Sequence, residues 1–488
     1  MSSMRLLKPY IGGQFFSYNT ESFESINPAN GRVVADVVIS GLREVDDAVL
    51  AAQIGQRKWA KLSAPRRGEL VMAWGDLITK HAEEILGLDI SDMGKVINDA
   101  RGEMMMLGRM TRYWGGMADK LLGDQIPITP GHLSYTSREA IGVCAIILPW
   151  NGPAIMFVSR VSMAISCGNA VVVKPSELSP QSALRLAELS VEAGLPEGLI
   201  NVLTGGGETG NLLVTHPGID GVSFTGSVDT GRSIAAAAAP KFKKLVLELG
   251  GKAPNLVFAD ADLNVAVKSA IWGVFQNAGQ VCCASTRLLL QSSIAEQVID
   301  QMAQVLATVR VGDPMNAESQ LGPVVSDRQM RRVQMYVQSA VESGARVLSG
   351  SIKMDDHDPA GFYVPPTMVM GLDSDAPIVC EEVFGPVLSI LTFDDEEEAI
   401  NLANDTEFGL SANVWTSDVG RMLRVAESVN AGVIWGNTSR LMDPALGFGG
   451  FKNSGVGHAT GREAIEGVTR IKRVSLRYGA VTTSPFWQ

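Results

Sequence analysis

The chain has 488 residues, 46% of them hydrophobic, with 51 glycines and a formal net charge of −11. Length and composition exclude a disordered or fibrous chain and suit about three domains of roughly 150 residues each. The acidic balance, with no basic cluster, argues against non-specific binding of nucleic acid or of an anionic membrane surface.

The N-terminal MSSMRLLKPYIGGQ lacks the uninterrupted apolar core of a secretory signal, which leaves the cytoplasm as the default location. The five cysteines are Cys144, Cys167, Cys282, Cys283 and Cys380; their odd number and irregular spacing suit a reducing compartment. Up to about residue 140 the chain reads as mostly helical, with one strand-like piece, HLSYTSREA. The run IGVCAIILPWNGPAIMFVS is nearly long enough to span a membrane, but PWNGP interrupts it, so a buried strand, a turn and a helix are expected. Beyond it, short apolar runs (NAVVVKPSE, LINVLTG, GVSFTGS, KLVLELGG) alternate with helical stretches such as SPQSALRLAELSVEAG and the Ala-rich segment that Pro240 should stop. Continuous β-branched runs at this spacing predict βαβ units around a parallel sheet. A second alternating region follows residue 251, with APNLVFADAD, TRLLLQ, GARVLSG and PVLSILTFDDEEEAI. The C-terminal IKRVSLRYGAVTTS is a strand without a nearby partner; it and HLSYTSREA are expected to pair with each other or with another subunit.

Several short stretches carry possible chemistry. PWNGP places Asn151 in a turn rigidified by two prolines, suited either to an amide donor for an oxyanion or to a simple Asx turn. VVVKPSE sets Lys174 and Glu177 just past a strand end, where ligands lie in open α/β sheets. Glu177 could accept bonds from ribose hydroxyls and would repel a 2′-phosphate, favouring NAD with NADP as the alternative; a solvated turn is the plainer reading. GGGETG, which contains Gly207, matches the dinucleotide fingerprint, but FTGSVDTG competes with it. In the latter, Gly226 permits close approach and Ser227 caps a helix whose amides favour a pyrophosphate. Glu248 ends an apolar strand before two glycines, either as a base with a burial-raised pKa or as half of a buried salt bridge. GQVCCAST holds Cys282 and Cys283 side by side, with no histidine near in sequence. MDDHD (Met354–Asp358) reads as a solvated loop rather than a metal site, and DDEEEA (Asp394–Ala399) as an acidic helix start. No metal is expected, since the remaining histidines, His81, His132, His216 and His458, are dispersed.

Taken in order, PWNGP, KPSE, FTGS, ELGGK, GQVCCAS, EEVFGPV and FGGFKNSG resemble the motifs of the non-acylating NAD(P)-dependent aldehyde dehydrogenases over nearly the whole chain. The resemblance implies an aldehyde dehydrogenase-like α/β fold with two open parallel α/β domains and a small β oligomerisation arm. It implies an NAD-binding domain at 1–121 and 141–252, a catalytic domain at 253–453, and an arm and C-terminal tail at 122–140 and 454–488. A homodimer or homotetramer follows. The implied chemistry is covalent: Cys282 attacks a small-molecule aldehyde, the Asn151 amide and the Cys282 N–H hold the oxyanion, and Glu248 activates the water that hydrolyses the thioester. Lys174 and Glu177 would contact the adenine ribose, and Gly207 would lie toward the adenosine end. Gly226 and Ser227 would lie by the phosphates, and Glu382 at the nicotinamide ribose beside Phe384. Trp150 and Leu249 would complete the cofactor wall. Cys283 and Val281 become pocket neighbours, and the other cysteines small buried hydrophobes.

The sequence also departs from the family pattern. Gly152 stands where an aromatic is common, Ser159 where a large funnel aromatic is common, and Gly447 where a proline usually precedes FGG. Ser439 and Arg440 replace larger or neutral groups. Gly152 and Ser159 suggest a widened funnel, kept apolar by Met156, Met442 and Phe448, and hence a bulky aromatic or long-chain aldehyde. Arg440 admits a carboxylate-bearing semialdehyde instead, or is a solvated surface arginine. Two rivals remain. An acylating relative that passes the thioester to coenzyme A is disfavoured by Glu248. A non-catalytic structural relative is disfavoured by the intact Cys282, Asn151, Glu248 and Glu382.

Overall fold

The computed structural model describes residues 5–352 and 357–479. Five-residue runs with no polar face, such as Val143–Ile147 (VCAII) and Ala170–Lys174 (AVVVK), are buried along their whole length. Strands of that kind need cover on both faces, and they form the middle of a sheet flanked by helices. In spatial order this eight-stranded sheet runs Gly455–Val456, Lys244–Glu248, Gly221–Thr225, Val143–Ile147, Ala170–Lys174, Ile200–Val202, Tyr10–Ile11 and Gln14–Phe15. The five strands from Lys244–Glu248 to Ile200–Val202 are parallel.

The order matters for the site. The chain enters this parallel set at Val143–Ile147, winds outward through Ala170–Lys174 to Ile200–Val202, then crosses back to Gly221–Thr225 and Lys244–Glu248. The winding therefore reverses between Val143–Ile147 and Gly221–Thr225. The loops leaving the carboxyl ends of these two strands splay apart and open a crevice there. Those loops are the PWNGP and FTGS turns.

The second sheet has seven strands, ordered Arg346–Ser349, Thr367–Met370, Val387–Phe393, Arg287–Gln291, Pro254–Val257, Ser411–Trp415 and Val433–Gly436. All pair in parallel except the Arg346–Ser349 edge. The chain then returns to the first sheet, where Gly455–Val456 adds antiparallel to Lys244–Glu248. Only glycine fits at Gly455: its φ is 147°, and a Cβ would strike the Leu247 carbonyl. Ile465 and Val468 pack into the core of the first sheet.

The two strands without sequence neighbours pair with each other. Thr469–Arg477 and His132–Ala140 run antiparallel along all nine residues, from Thr469 opposite Ala140 to Arg477 opposite His132. Gln125–Ile126 adds a short third strand. The last residues of IKRVSLRYGAVTTS, from 480 onward, lie outside the described residues.

The N-terminal part differs from the mostly helical expectation. Helices do fill Leu42–Ala60, Ala64–Lys80, Ala82–Met93 and Ile97–Met117. Ahead of them, Ser22–Ile26 and Val33–Val38 form an antiparallel hairpin. Its turn is built by Asn27, whose Oδ1 accepts from the Ala29 N–H at 2.9 Å, a local bond that favours a turn over a helix. Elsewhere the helix signals match the structure. The Ala-rich segment is helical over Val228–Ala238 and tightens to a 3₁₀ turn at Pro240. Asp395 caps the acidic helix Glu396–Asn404. Among the described residues no helix is long and apolar enough to cross a membrane.

Candidate active site

The PWNGP turn leaves the strand Val143–Ile147 and enters the helix Pro153–Ser166, with Pro153 at its first position and the buried Asp89 accepting from Ala154 N–H at 3.3 Å. Between them Asn151 is nearly buried. Its Nδ2 donates to the Gln280 carbonyl at 2.9 Å, while Asn277 Nδ2 donates to the Asn151 carbonyl at 3.1 Å. These bonds tie the first sheet's loop to the segment just before the cysteines. That segment is strained: Asn277, Ala278 and Gly279 are all left-handed, with φ of 53°, 53° and 72°. Strain of this kind persists only where the surroundings over-determine it. Here Asp99 accepts from Asn277 N–H at 3.2 Å, and the wholly buried Gln280 donates to the Asn277 carbonyl at 3.0 Å and accepts from Val325 N–H at 2.8 Å.

The turn presents the two cysteines differently. Cys283 is 3% exposed, packed with Leu410, Trp435, Phe448 and Ala459. Cys282 is half-buried and only borders that cluster, with Val281 beside it. The neighbouring Cys283 thiol, burial and the carboxylates Glu248 and Glu382 hold the Cys282 thiol up, whereas the Cys282 thiol and Arg440 favour the Cys283 thiolate.

Glu248 ends its strand inside this crevice. It is 3% exposed, and neither carboxyl oxygen has a hydrogen-bond partner. Burial pushes its pKa up to about 8, against the opposing pull of Arg160. Arg160 is itself buried on the helix Pro153–Ser166, where it donates to the Ala459 carbonyl at 2.6 Å. Glu382 accepts from Gly251 N–H at 3.0 Å, and burial raises it to about 7. The fully buried Lys252 beside it is pushed down to about 7, mainly by burial. The two glycines after Leu249 make this approach possible. A Cβ on Gly250 would lie 2.5 Å from Glu382 Oε2, and one on Gly251 would strike the Cys282 carbonyl. Phe384, left-handed at φ 57°, meets Trp150 edge-on with ring centroids 5.2 Å apart.

A second group gathers at the first sheet's carboxyl edge. Ser227 caps the helix Val228–Ala238, its Oγ accepting from Thr230 N–H at 3.4 Å. The Gly226 N–H is taken by the Glu248 carbonyl at 3.0 Å, so Gly226 offers shape rather than a donor. Leu249 is buried behind this turn against Gly231. The buried Lys174 ammonium donates to the carbonyls of Pro175 and Gly205, both at 3.0 Å, linking KPSE to the turn before Gly207, and lies 3.9 Å from the half-exposed Glu177. The helix starting at Gly207 and the capped helix at Val228 therefore open on one edge. That edge has the donors and the cradle to hold a dinucleotide.

The residues expected at the funnel are dispersed in character. Gly152 is buried, and a Cβ there would lie 3.0 Å from Ile155 Cγ2 and 3.7 Å from Met156 Cγ. Ser159 is buried in the same helix, Met156 is partly buried against the first core, and Met442 is exposed. Arg440 corrects one reading: it is not a solvated surface arginine. Its guanidinium lies 4.0 Å above the Trp272 ring and hydrogen-bonds Gln276 Oε1. Cys144 and Cys167 are buried as expected, whereas Cys380 is only half-buried. Residues 354–356 of MDDHD lie outside the described residues.

Sequence reasoning passed over Arg160, Lys252, Asn277, Gln280 and Asp99. A signal existed for the first: Arg160 is the one charge in the apolar helix PAIMFVSRVSMAIS. The others carry no such mark: apart from the Asn277–Gln280 bonds, their partners lie far along the chain.

The chain belongs to the aldehyde dehydrogenase family. The family model described as "Aldehyde dehydrogenase family" matches residues 15–474. An aldehyde dehydrogenase from Aspergillus niger is 39% identical over 474 residues, 96% of this chain and 95% of that protein. Among solved structures, PnpE from Pseudomonas sp. WBC-3 is 37% identical with a TM-score of 0.96, covering 99% of this chain and 100% of that one. The NAD+ complex of an aldehyde dehydrogenase from Bacillus cereus is 36% identical with a TM-score of 0.94, covering 97% of each.

Proposed function

We propose that the protein oxidises an aldehyde to a carboxylic acid with NAD, through a thioester on Cys282. The observation that carries this reading is a half-buried thiol beside a buried carboxylate, Glu248, with no hydrogen-bond partner of its own. An unpaired carboxylate in a core is costly, and groups held this way concentrate at functional sites. Solved relatives bind NAD, including the Bacillus cereus enzyme and PnpE, and the edge formed by Lys174, Glu177, Gly207, Gly226 and Ser227 suits that cofactor. When bound, NAD supplies the acceptor for the two electrons and the hydrogen removed from the aldehyde carbon.

The chain's own residues do the rest. Cys282 is the nucleophile because it borders open space while Cys283 is packed away. An amide has two N–H donors. One from Asn151 is anchored on the Gln280 carbonyl, which fixes the amide plane, and the second N–H, with the Cys282 backbone N–H, holds the oxyanion of the adduct. Glu248 then takes a proton from water, which attacks the thioester and releases the acid. Its raised pKa suits it to both holding and giving up a proton near neutral pH. Glu382, Trp150, Phe384 and Leu249 line the nicotinamide end. The Lys252 charge opposes the rise that burial imposes on Glu382.

The substrate body occupies a funnel bounded by Gly152, Met156, Ser159, Val281, Met442 and Phe448, which suits a bulky aromatic or long-chain aldehyde. The Thr469–Arg477 strand, with Ile471 63% and Leu476 51% exposed, suits pairing into a homodimer or homotetramer. A cytoplasmic location is the reading for such an enzyme.

The test is NADH formation over a panel of aldehydes with wild type, Cys282→Ala and Cys283→Ala. Activity lost in Cys282→Ala and kept in Cys283→Ala is expected. The reverse pattern would move the nucleophile to Cys283, and a preference for acetaldehyde would remove the wide funnel.

A further inference from the structure

The two turns that build the crevice are fastened by one short stretch of the N-terminal helices. The helix Ala82–Met93 stops at Gly94, left-handed at φ 75°, and the helix Ile97–Met117 starts almost at once. Lys95 lies in the break. It is 1% exposed, and its ammonium donates to Glu103 Oε2 at 2.5 Å. Before it, the buried Asp89 accepts from Ala154 N–H at 3.3 Å, just past Asn151. After it, Asp99 accepts from Gln276 Nε2 at 3.1 Å and from Asn277 N–H at 3.2 Å, just ahead of Cys282. Asn277 Nδ2 in turn donates to the Asn151 carbonyl. The oxyanion turn and the cysteine turn are therefore both tied to carboxylates that flank one buried lysine.

A carboxylate out of contact with water takes up a proton unless a nearby cation opposes burial. Lys95 is the largest charge acting on Asp89 and opposes burial there, while Glu103 acts the other way. Lys95 and Arg440 both favour the charged form of Asp99. The third acid, Asp92, faces Asp89 and is bound by Gln181 and Ser25. An ion pair with Glu103 does not by itself explain a buried lysine. The Glu103 side chain is 29% exposed, so water can carry its charge, whereas Asp89 at 1% has no such outlet. Ionisation matters for the fastening, because a charged acceptor holds an N–H about twice as firmly as a neutral one.

We propose that Lys95 is a positioning residue for the reaction: its charge keeps the Asp89 and Asp99 carboxylates on their backbone donors, and through them holds the Asn151 and Cys282 turns at reacting distance. The inference rests on the reading of Cys282 and Asn151 as the reacting groups. Lys95 touches neither group, so its loss should appear as misplacement of the site rather than as loss of cofactor binding.

The test measures the first-turnover burst of NADH in wild type, Lys95→Met, Lys95→Arg and Asp99→Asn, with NAD affinity from titration calorimetry. At pH 7 Lys95→Met should slow the burst about 10- to 100-fold, the range for a small displacement of reacting groups, with NAD affinity unchanged. Lys95→Arg should recover part of the rate. In wild type Asp89 ionises at about 6; without Lys95 it ionises higher. The ratio of Lys95→Met to wild-type burst rates should therefore rise as the pH is raised from about 6.5 to 9. A packing defect alone would give a constant ratio. Asp99→Asn should slow the burst as well, and Lys95→Met combined with it should cost less than the sum of the two. An unchanged burst in Lys95→Met, a constant ratio or full additivity overturns the proposal. If Lys95→Met does not fold, Asp99→Asn and Asp89→Asn keep side-chain size and remove charge, and wild-type bursts in both overturn it equally. Hydrogen exchange over residues 150–156 and 275–283 reads the fastening without turnover and should quicken in Lys95→Met; equal exchange overturns the proposal. Quickened exchange in a protein that oxidises no aldehyde would keep the fastening and sink the enzymatic reading.

Discussion

Glu248 shows how one side chain's environment sets its use. Its strand is apolar, so the carboxyl arrives in a dry crevice, and burial lifts its pKa to about 8. Arg160 tempers that shift without forming an ion pair; its two Nη groups donate to the Ala459 carbonyl and the Thr225 hydroxyl. If Glu248 activates the hydrolytic water, Glu248→Gln should lower steady-state kcat by about 10²- to 10⁴-fold, the usual size of a general-base contribution. A rapid first turnover of NADH should survive, since thioester formation precedes the step that is lost. Stopped-flow fluorescence checks this, and a variant that loses burst and steady state together would contradict the assignment. In wild type the rate of thioester hydrolysis should rise with pH and level off above about 8 as Glu248 becomes ionised. Burst and steady-state phases followed from pH 6 to 9 would separate that step from the earlier ones.

At the scale of elements, the crevice depends on how loops from distant strands are fastened. Asn169 is fully buried at the start of the strand Ala170–Lys174. Its Oδ1 accepts from Gly142 N–H at 3.0 Å, and its Nδ2 donates to the carbonyls of Ala164 at 3.0 Å and Val468 at 2.9 Å. One side chain thus joins the entry to the first strand, the end of the Pro153–Ser166 helix and the segment that leads to the Thr469–Arg477 strand. Asn169→Ala would take the side-chain partner from the Gly142 N–H and the Val468 carbonyl, while the Ala164 carbonyl keeps the Asn169 backbone N–H at 3.1 Å; it should cost about 2 kcal/mol or more, read as a lower denaturation midpoint in urea. Gly250→Ala acts locally instead. It pushes Glu382 off the Gly251 N–H and should weaken NAD binding, measured by titration calorimetry, while leaving the far-UV circular dichroism spectrum intact.

For the whole molecule, buried acids dominate the response to pH. Burial raises Asp89 to about 6, Asp92 and Glu382 to about 7, and Glu248 to about 8. Each then holds a proton in the folded chain that the unfolded chain has already released. Such a group stabilises fully below its ordinary carboxylate pKa, and that contribution is lost as pH rises through the folded value. Stability should therefore fall between about pH 5 and 8. Lys252, lowered to about 7, works the other way above that value. Each acid contributes a slope of about 1.4 kcal/mol per pH unit inside its window. Urea midpoints across this range should shift downward, and Glu248→Gln should show a shallower slope than wild type. A flat profile would mean that these carboxyls are solvated or paired in solution.

Part of this was legible along the chain. Runs such as VCAII and AVVVK specify buried parallel strands by themselves, because a segment without a polar face has to be covered on both sides. Asp395 and Ser227 mark helix starts through bonds that span only three residues. The order of the seven motifs pointed to the family, and the two lone strands pointed to each other. The early hairpin was not read, although Asn27, Pro28, Asn30 and the left-handed Gly31 mark its turn. What tertiary structure alone decided lies where partners are far apart in sequence. Cys282 and Cys283 are chemically identical neighbours, and they are told apart by the packing of Trp435, Phe448 and Ala459 around one of them. Along the chain Arg440 could be either a pocket residue or a solvated surface arginine; Gln276 and Trp272, more than 160 positions earlier, close around it. A sequence fixes such contacts only through the whole fold, because desolvation and charge depend on every element that packs against a group, not on its neighbours in the chain.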